Sequence, residues 1–356
     1  MTINRLYPMW LAEFQQLWPS LRITQLRTAA WLLVGIQQAR SVHLSRVATV
    51  IPGTATLPSH TRRLARWLDN PAIHVRPLYD PLARDLLATH VAEGEVRLIL
   101  DGTKVGSRHQ LLMVALAYRK RALPLAWTWL RCAKGHSSAA VQLALLAHVR
   151  TLLPPGVTAL VVGDTEFEAT ALQVQLEAWG WRDVLRQKPN NLLSQDGAVW
   201  QRLGSCVTRP GQSCWLPAVP VTQAHPHRVN VRAHWAVGEP RPWLLATNLP
   251  TRAATLRAYR RRMWIEEMFG DMKGHGMDLE ATRLHHFLRL SRLTLVVALL
   301  YLWLVTLGRW VIKQGQRRLV DRADRRDLSV CQLGWRYVER CLTNALDVQM
   351  RLCPRP

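Results

Sequence analysis

Apolar residues recur at helical spacing across residues 21–39, and two shorter helical runs, 44–51 and 59–68, flank the turn-forming Pro52-Gly53-Thr54. Residues 1–92 therefore read as helical. From Val96 the alternation shortens to a strand period, predicting three successive strands at 96–101, 111–118 and 123–130, with Arg119-Lys120-Arg121 at a hairpin turn. A helix is expected over 137–153, stopped by Pro154-Pro155-Gly156, then a buried strand at 158–163, a helix at 169–179 and a strand at 183–187. Residues 191–250 break this alternation with Gly, Pro and short β-type runs at 228–235 and 243–247, which reads as a β-rich insertion. Beyond Gly274-His275-Gly276, a helix stop, the pattern is helical to the end.

One stretch, 293–312, approaches the roughly 20 apolar residues needed to span a bilayer. Its uniformly apolar part is shorter, and Arg309 lies inside its end, so a buried core helix is the expectation and no membrane partner is. The N-terminus lacks a charged region followed by an apolar core, so no signal peptide is expected.

Lys and Arg number 47 against 24 acidic residues, a net charge of +23, which points to a polyanionic partner and first of all to nucleic acid. Most of the basic residues are arginines, whose planar fork suits phosphate oxygens and guanine edges. Arg62, Arg63 and Arg66, with His60 and Thr61, lie on the second of the two short N-terminal helices, where a helix-turn-helix would face DNA; a plain helical bundle with solvated arginines explains them equally well. The six cysteines form no Cys-x-x-Cys pair and lack zinc spacing, which suits a reduced cytoplasm.

The candidate chemistry lies in three carboxylates. Asp101 and Asp164 stand at expected strand ends, and Glu266 lies in the segment from Tyr259 to Lys273. In a regular helix of about 100° per residue, Tyr259, Arg262, Glu266 and Lys273 fall near 0°, −60°, −20° and −40°, on one face. Glu267 turns about 100° away from that face, and Glu166 is expected to cap a turn. Taken singly, each aspartate could equally cap a turn or helix.

This pattern resembles the insertion-sequence DDE transposases that carry a Tyr-x2-Arg-x3-Glu-x6-Lys signature, matched here at Tyr259, Arg262, Glu266 and Lys273, with Asp-Gly-Thr at Asp101 and a strand ending at Asp164. The resemblance implies an α/β fold: a ribonuclease-H-like catalytic core, for which the β-β-β-α-β-α-β order is suited, with a β-rich insertion and flanking N- and C-terminal helical regions. The domains would be an N-terminal DNA-binding region (1–92), the first part of the core (93–190), the insertion (191–250), the signature helix (251–280) and a C-terminal helical region suited to dimerisation (281–356). It further implies that Asp101, Asp164 and Glu266 are catalytic and bind two Mg2+ ions, with Mn2+ able to substitute. Arg262, Lys273 and Tyr259 would grip DNA, and Trp243 would receive a flipped base, with Trp235 and Trp264 as weaker choices. The expected partners are double-stranded DNA at the element ends and target DNA, with a homodimer in the DNA complex, in a bacterial-type cytoplasm at the nucleoid. The implied reaction is cut-and-paste transposition through a hairpin. A metal-dependent nuclease without strand transfer, or a domesticated relative that only binds DNA, would share much of this pattern. One departure is Thr165, where many relatives place Arg; Arg108 or Lys104 are candidates to supply that charge.

Overall fold

The computed structural model describes every residue except 1, 2, 108, 133, 134, 275, 355 and 356. Five helices come first: α1 (Ile3–Leu17), α2 (Ile23–Ala39), α3 (Leu44–Thr49), α4 (Leu57–Asp69) and α5 (Val75–Thr89). The start of α4 is fixed locally, since the Thr56 hydroxyl accepts the Ser59 N–H at 3.4 Å and Pro58 occupies the first turn, where a missing N–H costs nothing. The mixed α/β part then runs β1 (Glu95–Val105), β2 (His109–Tyr118), β3 (Arg121–Leu130), α6 (Ala139–Arg150), β4 (Thr158–Gly163), α7 (Thr170–Ala178), β5 (Arg182–Arg186), β6 (Leu192–Ser194), β7 (Trp200–Arg202), β8 (Ser213–Val221), β9 (His227–His234) and β10 (Trp243–Thr247). Helices α8 (Arg252–Tyr259), α9 (Trp264–Met272), α10 (Phe287–Lys313) and α11 (Val330–Thr343) complete the chain.

The chain divides into two compact units: residues 1–89, 105–107 and 267–356 in one, and 90–104 with 108–266 in the other. The second unit holds a ten-stranded sheet in the order β3-β2-β1-β4-β5-β10-β9-β8-β6-β7. Its centre is parallel: β1 pairs with β4 from Glu95↔Thr158 to Leu100↔Gly163, and β4 pairs with β5. Strands β1 and β4 are buried along almost their whole length, as parallel strands covered on both faces must be. Arg119 and Lys120 both adopt positive φ, 42° and 65°, the conformation of a tight two-residue hairpin turn between β2 and β3. Strand β10 is antiparallel to both β5 and β9, so the strands of the 191–250 stretch continue the same sheet. One expectation changes: β1 runs on to Val105, so Asp101 lies inside a strand. Its pairing with β4 nevertheless stops at Leu100, one residue before Asp101.

In the first unit α10 is the apolar centre. By length and composition it could cross a membrane, yet 83% of its most apolar stretch is buried within the protein, the state of a core helix. Where α10 meets α11 the backbones touch: a Cβ on Gly308 would stand 1.9 Å from the Val330 carbonyl oxygen, and one on Gly334 would stand 1.9 Å from that of Leu304. Only glycine permits this approach. Trp10 and Trp303 pack edge to face at 5.3 Å, while the buried Arg292 guanidinium donates to the Ile73 and Leu68 carbonyls at 2.9 and 2.8 Å. The guanidinium thus satisfies one carbonyl at the end of α4 and one in the connection to α5.

The sheet also buries a carboxyl group. Asp183 in β5 is 2% exposed, and burial pushes its pKa up to about 7 against the opposing hydrogen bond from Gln173. An acid whose folded pKa is raised contributes stability that is full below about pH 4 and lost as pH climbs to about 7. For a rise of about three units this amounts to about 4 kcal/mol. Denaturant melts at pH 4.5 and pH 8 are expected to show a marked loss of stability in the native chain and a flatter profile in Asp183→Asn; equal slopes in both would dissociate the effect from this residue.

Candidate active site

Register brings the two aspartates together. Because Leu100 pairs with Gly163 in a parallel ladder, Asp101 and Asp164 are the next residues on neighbouring strands and leave the sheet on the same face. Each then ties one carboxylate oxygen to backbone. Asp101 Oδ1 accepts the Gly102 N–H at 2.8 Å, and Asp164 Oδ1 accepts the Glu166 N–H at 2.9 Å, capping a 3-10 turn at Thr165–Phe167. Both Oδ2 atoms are left to face a common space. A Cβ on Gly102 would stand 2.2 Å from Gln110 Nε2 and displace that amide, and Gly163 has Phe167 2.9 Å from its would-be Cβ.

That space holds the Arg262 guanidinium. Its Nη2 lies 3.1 Å from Asp101 Oδ2 and 3.3 Å from Asp164 Oδ2, and its Nη1 donates to Glu266 Oε1. The three predicted carboxylates are therefore gathered round one cation. The mode of gathering differs from expectation, because the segment is not one regular helix: α8 ends at Tyr259, residues Arg260–Met263 form a 3-10 turn, and α9 begins at Trp264. The tighter turn swings Arg262 inward, 9% exposed, where it was expected to present its charge to DNA beside Tyr259 and Lys273. Burial disfavours its charged form, but Asp101, Asp164 and Glu266 outweigh burial and the net pKa moves up. Glu266 itself remains about half exposed, at the open side of the cluster.

Tyr259 is 1% exposed, and its ring meets Trp243 at 5.1 Å with planes 69° apart. Burial raises its pKa, partly countered by Arg186 and Arg262. Tyr259 thus has its ring in the protein and its hydroxyl near Arg186. Trp243 remains partly exposed at the start of β10, while Trp235 donates its indole N–H to the Glu239 carbonyl at 2.9 Å. Lys273 follows α9 and pairs with Glu280 at 3.0 Å, a contact weakened by solvent. In the other N-terminal positions, Arg62 is exposed on α4 and Arg63 half-buried, its Nη2 3.1 Å from His60 Nδ1. Lys104 is exposed, whereas Arg108 lies outside the described residues.

The residue that sequence reasoning undervalued is Glu166. Its backbone N–H orients Asp164, and its carboxylate collects Gln110 Nε2 on both oxygens at 2.8 and 2.9 Å, the Gly135 and Ser137 N–H groups at 3.1 and 3.0 Å, and the Ser137 hydroxyl. It ties β2 and the loop before α6 to the turn that carries Asp164. The signal available in the sequence is Gln110, a polar residue at the head of an otherwise apolar strand, since a buried amide needs a partner.

The donor set suits a hard divalent cation, being three carboxylates that converge on one positive charge. Among the described residues no three acidic, His or Cys side chains already close on one point as a metal cage; the guanidinium stands in as the counter-charge. Asp101, Asp164 and Glu266 therefore fit a cation that replaces Arg262 as their partner.

A family model described as a transposase DDE domain matches residues 86–303. Among curated proteins no sequence matches the chain. Among solved structures, the chain is similar to one from a piggyBac transposase synaptic complex with hairpin DNA, at 9% identity and a TM-score of 0.47, over 98% of this chain and 83% of that one. At that distance the likeness assigns no role to any residue here.

Removing the stand-in cation leaves three carboxylates facing one another. Arg262→Gln is expected to cost about 3 kcal/mol of stability in metal-free buffer and to show a larger rise in Tm on adding Mg2+ than the native chain does. Equal melting temperatures and equal responses to Mg2+ would show that the guanidinium does not hold the cluster.

Proposed function

The chain belongs to the transposase DDE domain family, whose model spans more than half of it, and from that premise we propose how this DNA transposase works. The observation that carries the reading is the meeting of Asp101, Asp164 and Glu266 on one buried positive charge. In this reading the three carboxylates hold two Mg2+ ions, or Mn2+ in their place. Bound there, the ions supply activation of the attacking oxygen and stabilisation of the leaving one during in-line displacement at phosphorus. The core is ribonuclease-H-like, a reading supported by the order β3-β2-β1-β4-β5 with β1, β4 and β5 parallel.

The chain's own residues have separable tasks. The backbone-anchored Oδ1 atoms of Asp101 and Asp164 keep both Oδ2 atoms aimed into the site, so little reorganisation is needed as charge develops. Glu166 keeps the loop before α6 against the Asp164 turn. Arg262, once its carboxylates have another counter-charge, is the nearest fork-shaped donor for a phosphate oxygen. Lys273, paired with the exposed Glu280, and Tyr259 serve the same backbone, as in relatives carrying the Tyr-x2-Arg-x3-Glu-x6-Lys signature. The substrate is double-stranded DNA at the ends of an insertion sequence, then target DNA, in a bacterial-type cytoplasm at the nucleoid. The net charge of +23 supports the partner. Two ends must be held at once, so we assign a homodimer in the DNA complex, with residues 1–92 binding DNA and 281–356 dimerising.

Asp101→Ala, Asp164→Ala and Glu266→Ala are each expected to abolish strand cleavage and strand transfer while leaving gel-shift binding of element ends nearly unchanged. Normal cleavage by any one variant would remove that residue from the site, and cleavage without strand transfer by the native chain would reduce the activity to that of a nuclease.

Cut-and-paste through a hairpin gives Trp243 a task, because closing a hairpin distorts the backbone and an extruded base relieves it. Trp243→Ala is expected to lose roughly 1–3 kcal/mol of base stacking, seen in hairpin formation more than in the first nick. An abasic nucleotide at the extruded position should partly restore the variant. If both steps fall equally and the abasic substrate rescues nothing, Trp243 only packs against Tyr259.

A further inference from the structure

A cavity of about 580 Å³ opens among α1, α2 and α4, within the first unit and in the size range of small-molecule sites. Arg27, Arg63 and Arg66 line it, and among the described residues no carboxylate does. Three guanidinium groups beside one hollow repel one another unless an anion sits among them. One flank is aromatic: Tyr7 and Trp31 stack at 4.1 Å with planes 16° apart, and both are only partly buried. Trp67, 4% exposed, also lines the cavity, and its indole N–H is buried without a hydrogen-bond partner. Arg63 Nε is buried and unpartnered as well, although the same guanidinium contacts His60. Buried donors left unspent in a native fold call for an acceptor that comes from outside.

Phosphate oxygens on the arginines and an aromatic ring against Tyr7 and Trp31 would match the charge and the aromatic flank of the cavity. A base inside a duplex has both faces covered by its neighbours, so the ligand must be unpaired. Exposed Arg27 and Arg66 lie on the rim side, where adjacent phosphates of a continuous strand would pass. We propose that this cavity captures an unpaired nucleotide of the DNA substrate, its phosphate on Arg27, Arg63 and Arg66 and its base at the Tyr7–Trp31 wall. The proposal rests on the reading of the chain as a DNA transposase and adds a single-strand subsite far in sequence from the carboxylates.

The test compares binding of the full chain, by fluorescence anisotropy, to a blunt duplex and to the same duplex carrying a short single-stranded tail. The native chain is expected to bind the tailed duplex about tenfold more tightly, the equivalent of stacking one base. Arg27→Gln with Trp31→Leu should lose that preference, so that the two duplexes bind with equal affinity. Arg27→Gln alone, at an exposed position that folding does not need, should lose part of it. Equal affinity of the native chain for both duplexes, or a preference that survives in both variants, overturns the subsite while leaving the DNA reading intact. Deoxynucleoside monophosphate that erases the preference at micromolar concentration would assign the cavity to a free nucleotide and overturn the strand assignment. Failure to bind either duplex would overturn the transposase reading itself.

Discussion

The second unit is organised around the attraction between the Arg262 guanidinium and three carboxylates carried by three separate elements. Asp101 comes from β1, Asp164 from the turn after β4 and Glu266 from α9. Like charges so placed repel, and in a partly buried setting each would cost several kcal/mol without a partner. The fold tolerates them because a positive group of fixed geometry sits between them. Yet a salt bridge this buried gains little net stability over an apolar replacement. The assembly is better understood as stored negative charge held ready than as a stabilising device.

The strand pattern was legible because burial on both faces leaves long apolar runs. Strand β4 matches the expected 158–163, and β1 differs only by continuing beside β2. That Asp101, Asp164 and Glu266 meet in space was legible too, through spacing and through the resemblance of the segment around Glu266 to a known signature. What a uniform helical wheel could not give was the direction of Arg262. A 3-10 turn needs no particular residue to announce it, and over Arg260–Met263 it is set by what the side chains meet in space. The reach of Glu166 beyond a turn cap was undervalued for a related reason: its partners Gln110, Gly135 and Ser137 come from separate stretches of chain that only folding brings together.

Trp243 and Tyr259 show how one contact serves two descriptions. An edge-to-face pair at 5.1 Å is a good packing arrangement, and it also fixes the attitude of a ring that stays partly exposed at the head of β10. A rigid aromatic costs little entropy when it takes up a second ring. In the reading proposed above, core packing and base recognition are successive uses of the same side chain.

The pairing of Leu100 with Gly163 makes the hydrogen-bond ladder a ruler for the chemistry. The separation of the two aspartates at their roots is the distance between adjacent strands, about 4.8 Å, and no side-chain choice elsewhere alters it. Deleting one residue upstream in either strand would turn its aspartate to the opposite face of the sheet, whereas the hairpin at Arg119 and Lys120 lies outside that ladder and can vary in length without moving either one. Evolution of this chain can therefore lengthen or shorten the hairpin at Arg119 and Lys120, while the two short segments that end at Leu100 and Gly163 are frozen in length, though not in sequence.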